Sequence, residues 1–539
     1  MKKLNNTLYS FSWLINLLLI TAVFSSFNAE SVRIYFNSDT LYLGSIYKDL
    51  FIDGTGFKGW YLNAAPNFFP DMFLYFIINS FFENFQTAYL VYSFVQYFII
   101  LILLNILLKT IFTKINKIYL VFLNLIFPVI LLVTLISNNF LYTYFIFSHS
   151  FHTGMFINVL LAAIFFFKYL YKEKYIYLWL SIIISFIGSY NDRIFLVMFT
   201  FPVLIIFILN FIFLKNKQLK FSGVGIILVS IVSLIFFKYT KVNSVFHCIG
   251  LDNKYLNYNN IIFSFNKLFI QHFNYIKELR VQGFITIITI LSFIFLPIII
   301  LKNYKKIKSG LYQNKDITVK TVYFVFVLFS MLFTLISPAL NGYYLGAAHL
   351  RYNIFTFWFG IFNLAVFLYF ILKEKKKLIY ILTVIFFVFN IGIIIKSYYG
   401  KDVYAGLKKV IEFYPEKVRV TDDFARRNNL KYGLGRYWDA KYTMMFSKQN
   451  IRVYTIMNED LHPWFHVMNK NWYFDSDKGN YNKPVFNFVI TENYDTKKIQ
   501  DNFGIAEDSL IYKNETYILK LKTGIKYNSA DNKPYLVKN

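Results

Sequence analysis

Asp39 stands in FNSDTLYLGSIYKDLF, a few residues beyond the end of the first long apolar run. A carboxylate placed there can act as a general base, activating an acceptor hydroxyl or amine. Ser38-Asp39 before Thr40-Leu41-Tyr42 also reads as a helix start, where Asp is a favoured cap. The two roles are compatible. Asp53 and Asp71 follow in the same segment, and a second group lies at the ends of later apolar runs: Asn191, Asp192 and Arg193, then His349, Arg351 and Tyr352. Ionisable side chains this close to a bilayer are costly and commonly functional. Arginine suits a phosphate, because its planar fork makes two charge-assisted hydrogen bonds. Asp192-Arg193 reads equally as a structural ion pair or interfacial anchor, and Arg351 as a snorkelling side chain. His149 and His152 in HSFH would offer a metal an i, i+3 pair if they shared a helical face. With no third ligand beside them, interfacial or substrate-contact histidines fit better, and neither a metal nor a cofactor is expected.

The elements that must position these groups follow from composition. Of 539 residues 57% are apolar and only 16% charged, with 65 Phe and 44 Tyr. No single soluble core hides that much apolar surface, because such cores stop growing at roughly 250–300 residues. A soluble enzyme, a disordered chain and a coiled coil are excluded, leaving a polytopic membrane protein. The lone Cys248 excludes a disulfide framework and a Cys-based zinc site. The net charge of +27 is spread over short loops between apolar runs rather than gathered on one soluble face. Anionic membrane lipids are therefore the expected partners, and nucleic acid is not.

Eleven apolar runs reach spanning length or come close: 8–28, 86–108, 117–137, 153–171, 175–190, 194–214, 221–238, 283–301, 321–337, 353–372 and 378–396. With Met1 inside, the inner loops collect Lys109, Lys114, Lys117, Lys168, Lys172, Lys174, Lys215, Lys217, Lys220, the cluster Lys302 to Lys320 and Lys373 to Lys377. Against them stand only Glu173, Asp316 and Glu374. The positive-inside rule fits each loop and puts the tail outside. The expected organisation is a transmembrane domain over 1–396, carrying an outer loop 29–85, and a soluble outer α/β domain over 397–539. In that loop Phe69 to Phe82 is too short to span and suits an interfacial helix with Pro70 in its first turn. The basic loop Lys238 to Arg280 reads as a solvated surface able to gather an anionic lipid-linked substrate. In the tail, strands are expected at Ile451 to Met457 and Phe486 to Ile490, and helices at Asp423 to Arg436 and Thr496 to Phe503. YGLGRYWDAKY carries Tyr437 and Trp438, read as core aromatics.

This pattern resembles the GT-C superfamily of membrane glycosyltransferases. FNSDTLY stands where that family has its first-loop carboxylate, and APNFFPDMFLYFIINSFF resembles its Pro-containing interfacial helix. HLRYNIFTFW resembles the Arg-Tyr near the outer end of a late span. The chain departs from the family in having Thr40, not a second acid, after Asp39, leaving Asp53, Asp71 or Asp192 as the second carboxylate. The resemblance implies a bacterial inner-membrane enzyme, N-terminus cytoplasmic and tail domain periplasmic, serving the cell envelope. Its donor would be a sugar on polyprenyl phosphate and its acceptor a lipid, glycan or protein. Asp39 would deprotonate the acceptor in one inverting displacement, and Arg351 with Arg193 would hold the leaving phosphate. Asp192 would share the catalytic work, with Asp53, Asp71, His349 and Tyr352 contacting substrate. The alternative is a non-catalytic role in lipid or polysaccharide transport or envelope assembly. A transporter of charged substrates should bury ionisable groups mid-span, and these spans carry almost none.

Overall fold

The computed structural model describes residues 2–214, 216–242, 246–248, 257–308, 315–372, 375–474 and 484–537. Met1, Lys215, Lys373 and Glu374, and residues 243–245 and 249–256 of the basic loop, lie outside the described residues. The chain divides into two compact units. One comprises Met1–Asn28, Asn67–Lys238 and Asp252–Ile411; the other comprises Ala29–Pro66, Tyr239–Leu251 and Glu412–Asn539. The boundary expected near residue 396 thus falls at 411, and Ala29–Pro66 groups with the tail rather than with the spans.

The first unit is a polytopic helical membrane bundle. Among the described residues ten helices are long and apolar enough to cross a bilayer: Lys3–Ser25, Phe85–Ile111, Lys117–Ser137, Thr153–Lys172, Leu196–Phe213, Lys217–Lys241, Val281–Lys305, Lys315–Leu340, Ile354–Leu372 and Lys377–Tyr398. Each coincides with one of the eleven expected runs. The remaining run forms the shorter helix Tyr175–Asn191, 17 residues long. Pro128 divides the third span into Lys117–Ile126 and Val129–Ser137, since proline has no N–H to continue the ladder.

Neutral polar side chains fasten the first three spans where lipid offers no hydrophobic drive between helices. The Tyr97 hydroxyl donates to Asn16 Oδ1 at 2.5 Å, Asn105 Nδ2 to Asn124 Oδ1 at 2.7 Å, and Asn124 Nδ2 to Ser12 Oγ at 3.0 Å. Between the first two spans Phe73–Asn79 forms a short helix behind a turn that contains Pro70, with Phe73 and Ile77 exposed. The basic loop contains a further helix, Tyr258–Lys277, whose buried side chains are Ser264, Leu268 and His272.

The second unit is α/β. Its strands are β1 (Trp60–Leu62), β2 (His247–Cys248), β3 (Tyr432–Gly435), β4 (Arg452–Thr455), β5 (Met468–Asn469), β6 (Phe486–Ile490), β7 (Ala506–Tyr512), β8 (Glu515–Tyr527) and β9 (Pro534–Leu536). The larger sheet runs β4-β3-β6-β8-β7 with β9 on β8; β3 is parallel to β4 and β6, and the remaining pairs are antiparallel. A small sheet β2-β1-β5 ties Ala29–Pro66 to the tail, Trp60 pairing with Asn469. That pairing is why the loop segment joins this unit.

The expected β6 and the helix Thr496–Phe503 occur as read. The helix expected over Asp423 to Arg436 instead spans Glu416–Asn428 and ends at Asn429 in the left-handed region, φ 52°. Residues 432–435 are taken by β3. Gly433 is required there, because the Phe488 ring lies where any side chain would begin.

Candidate functional site

In the membrane unit the loop Ser148 to His152 precedes the helix Thr153–Lys172. HSFH is not helical, so its histidines do not share a helical face: Ser150 and His152 both have positive φ, 67° and 69°, and each histidine has its own surroundings. Backbone held in that region by ordinary residues costs energy and clusters at functional sites. His149 is buried among Tyr75, Tyr89 and Tyr92, with ring centroids 5.2, 4.5 and 5.3 Å away. Burial alone pushes it down to about 3, so it is neutral. His152 Nδ1 pairs with Asp192 Oδ2, while Asp192 Oδ1 accepts the Ile194 N–H at 3.0 Å.

The His152 ring lies 5.1 Å from the Tyr352 ring. Tyr352 accepts a hydrogen bond from Arg351 Nη2 at 3.0 Å, and its ring lies 4.9 Å from the guanidinium. The His349 ring stacks on Tyr352 at 6.1 Å. Burial, helped by Arg351, holds His349 down at about 4. The structure thus brings Asp192, His152, Tyr352, Arg351 and His349 into one contiguous cluster.

Asp71 adjoins that cluster. Its Oδ1 lies 2.8 Å from the Tyr92 hydroxyl, and its carboxylate covers Gly154 in the first turn of Thr153–Lys172, leaving no room for a Cβ. Burial pushes Asp71 up to about 6; Asp192 adds to this, and Tyr92 and the Ser150 N–H oppose it. Arg193 is turned elsewhere, exposed and over the Phe237 ring at 5.6 Å. Such a cluster can hold an anion on Arg351 and move a proton between carboxylates and His152.

Asp39 belongs to the second unit and is half-buried. It does not cap the following helix: Asn37 Oδ1 accepts the N–H groups of Asp39 and Thr40 at 2.9 and 3.1 Å. This frees the Asp39 side chain. Oδ1 accepts the Tyr437 hydroxyl at 2.9 Å, whereas no hydrogen bond to Oδ2 is formed among the described residues. Tyr437 packs edge-on against Trp438 at 5.2 Å and His466 at 5.0 Å, and Trp464 stacks on His466 at 4.6 Å. Trp438 and Trp464 are 51% and 37% exposed, so two indole faces stand beside an accessible carboxylate. Of the two aromatics of YGLGRYWDAKY expected in the core, Tyr437 is buried and Trp438 is exposed. Trp464 and His466 carried no sequence signal.

Asp53 has a different fate. It forms a buried ion pair with Arg452, both side chains under a tenth exposed, and is a structural group of the second unit. Asp49, unremarked in the sequence, is also buried; its carboxylate accepts from Trp60 Nε1, Trp472 Nε1 and Asn469 Nδ2, each at 2.7 Å, and from Thr55. Among the described residues no three His, Cys, Asp or Glu side chains are grouped as a metal site.

Lys441 lies one turn after Tyr437, buried, its Nζ donating to the Val467 carbonyl at 2.6 Å. Burial pushes its ammonium from 10.5 down to about 7, Asp39 pulling weakly the other way. Between those values the unfolded chain carries a proton that the folded chain has shed, so stability rises with pH across that window. Lys441→Met is expected to remove this rise. The gain in melting temperature from about pH 7 to about pH 9 should be larger in wild type than in the variant; equal gains would contradict it.

No protein-family model, no curated protein and no solved structure matches this chain.

Proposed function

We propose that the protein is a glycosyltransferase that moves a sugar from a polyprenyl-phosphate-linked donor to a lipid, glycan or protein acceptor. The observation that carries the reading is the open Oδ2 of Asp39 beside the exposed indoles of Trp438 and Trp464. A carboxylate with one oxygen fixed and the other open suits a general base, and aromatic faces suit the apolar faces of sugar rings. In this reaction Asp39 takes the acceptor proton as the acceptor oxygen bonds to the anomeric carbon. The anomeric carbon–phosphate oxygen bond breaks, inverting the centre and releasing polyprenyl phosphate. By itself, the Arg351 guanidinium of the membrane unit, which donates to the Tyr352 hydroxyl and lies over its ring, suits a phosphate group. Anionic lipids surround the basic loops.

In the same reading the protein sits in a bacterial cytoplasmic membrane and the second unit is extracytoplasmic. That sidedness needs Tyr175–Asn191 to cross as an eleventh span, and 17 residues lie at the lower limit of spanning length. The test is mass spectrometry of lipid A, surface polysaccharide and envelope glycoproteins from cells with and without the protein. Loss of one sugar unit, restored by the wild-type chain, supports transfer and identifies the product. Unchanged glycans in every fraction sink it.

A further inference from the structure

A cavity of about 130 Å³ opens in the membrane unit between the ends of three spans, Thr153–Lys172, Lys217–Lys241 and Lys315–Leu340. Its floor is apolar and buried, made by Leu170, Leu219, Val319 and Val322. Its mouth is polar: Glu173 pairs there with Lys315 and accepts a hydrogen bond from Gln218, and Thr318 adds a hydroxyl.

The charge around this mouth is one-sided. Lys172 and Lys174 flank Glu173, Lys217 stands next to Gln218, and Lys220 follows Leu219. All four are exposed and in no ion pair among the described residues. The two acids of these segments, Glu173 and Asp316, are already engaged, by Lys315 and Lys320. Four unneutralised ammonium groups at the rim of one hollow make a field that draws an anion.

The surface leading away from the mouth is apolar. On the helix Lys217–Lys241, Phe221, Val224 and Leu228 follow Lys217 at i+4, i+7 and i+11, so the four share one face. The three apolar side chains are 63, 39 and 56% exposed. An ammonium at the head of such a stripe, beside a hollow with a polar rim and an apolar floor, matches one phospholipid. A free phosphate would leave the floor and the stripe uncovered. A zwitterionic headgroup would bring its own cation among the lysines and find both acids engaged. Basic pockets between spanning helices take anionic lipid headgroups for these reasons.

We propose that this cavity binds one anionic phospholipid, its phosphate among Lys172, Lys174, Lys217 and Lys220, its glycerol in the hollow and an acyl chain along Phe221, Val224 and Leu228. The site uses none of the residues of the transfer reading and stands or falls apart from it. Because three spans line the hollow, the bound lipid also fastens them together.

The test is native mass spectrometry of the full chain released from detergent micelles doped with dioleoyl phosphatidylglycerol, phosphatidylethanolamine or phosphatidylcholine, with glycerol phosphate as a soluble competitor. Wild type should retain one phosphatidylglycerol at least tenfold more tightly than either zwitterionic lipid. Lys217→Gln with Lys220→Gln should weaken that retention roughly tenfold to thirtyfold, whereas Lys375→Gln with Lys377→Gln, an equal loss of charge between the last two spans, should leave it unchanged. Thr318→Phe keeps every charge and fills the hollow, and should weaken retention by at least tenfold. The proposal is overturned if no lipid is retained, or if the zwitterionic lipids are held as tightly as phosphatidylglycerol. It is overturned equally if the two double variants lose the same affinity, which would mean diffuse attraction to a basic face, or if a folded Thr318→Phe binds as wild type does. Displacement of phosphatidylglycerol by equimolar glycerol phosphate would also overturn it, leaving a site for a soluble phosphate. Each of these results would leave sugar transfer by Asp39 where it stands.

Discussion

Asp39→Asn is expected to slow sugar transfer by roughly 10²–10⁴-fold at neutral pH, the contribution typical of a positioned general base. The substitution keeps the shape of the side chain, and its amide oxygen still accepts the Tyr437 hydroxyl that now holds Oδ1. Asp39 is half-buried and in no ion pair among the described residues, so folding should change little. What disappears is the capacity of Oδ2 to accept a proton. The loss should therefore fall on kcat, with the acceptor KM nearly unchanged. Tyr437→Phe should have a smaller effect, because it releases the carboxylate without removing it. Initial rates of the purified protein, or rescue of the missing sugar unit in cells expressing each variant at equal level, decide the matter. Full activity of Asp39→Asn would remove Asp39 as the base and shift weight to a non-catalytic binding role for the second unit.

The residues that were legible in the sequence are those whose role is set locally. Length and apolarity located ten helices, since a span is a property of about 20 consecutive residues. Phe486–Ile490 and Thr496–Phe503 were legible for the same reason. The second unit's membership was not. Trp60 finds Asn469 across more than four hundred residues, and nothing in the local pattern of either announces the pairing. Asp53 looked like a site residue from its position beside the membrane, but its role is decided by Arg452, far away in the chain. Asp39 illustrates the opposite error: Ser-Asp-Thr is a good capping string, yet Asn37 two positions earlier makes the turn, and the Asp39 side chain is left for other work. Asp192 and Arg351 were found as separate helix-end residues; their connection through His152 and Tyr352 required the helix ends to be brought together in space.

Asp49→Leu should be among the most destabilising single changes in the second unit, on the order of 4 kcal/mol. The four donors converging on this carboxylate would each lose their acceptor in a place closed to water, at about 1–3 kcal/mol apiece before relaxation. The donors come from two parts of the chain: Thr55 and Trp60 from the first segment, Asn469 and Trp472 from the tail. None is a cation. The carboxylate is held by neutral dipoles alone, and burial raises its pKa against the lowering effect of those four bonds. The folded state therefore keeps the proton to a higher pH than the unfolded chain does, and the stability so gained in acid is lost as pH rises through the folded value. Asp49→Asn should lie between wild type and Asp49→Leu, because one oxygen still accepts while the new NH₂ faces donors. Trp60 and Trp472 sit 5.3 Å apart around the carboxylate, so intrinsic tryptophan fluorescence reports the loss directly. If Asp49→Leu melts within about 1 kcal/mol of wild type, these four bonds are individually replaceable. Joining Ala29–Pro66 to the tail would then rest on the strand pairing and the Asp53–Arg452 ion pair instead.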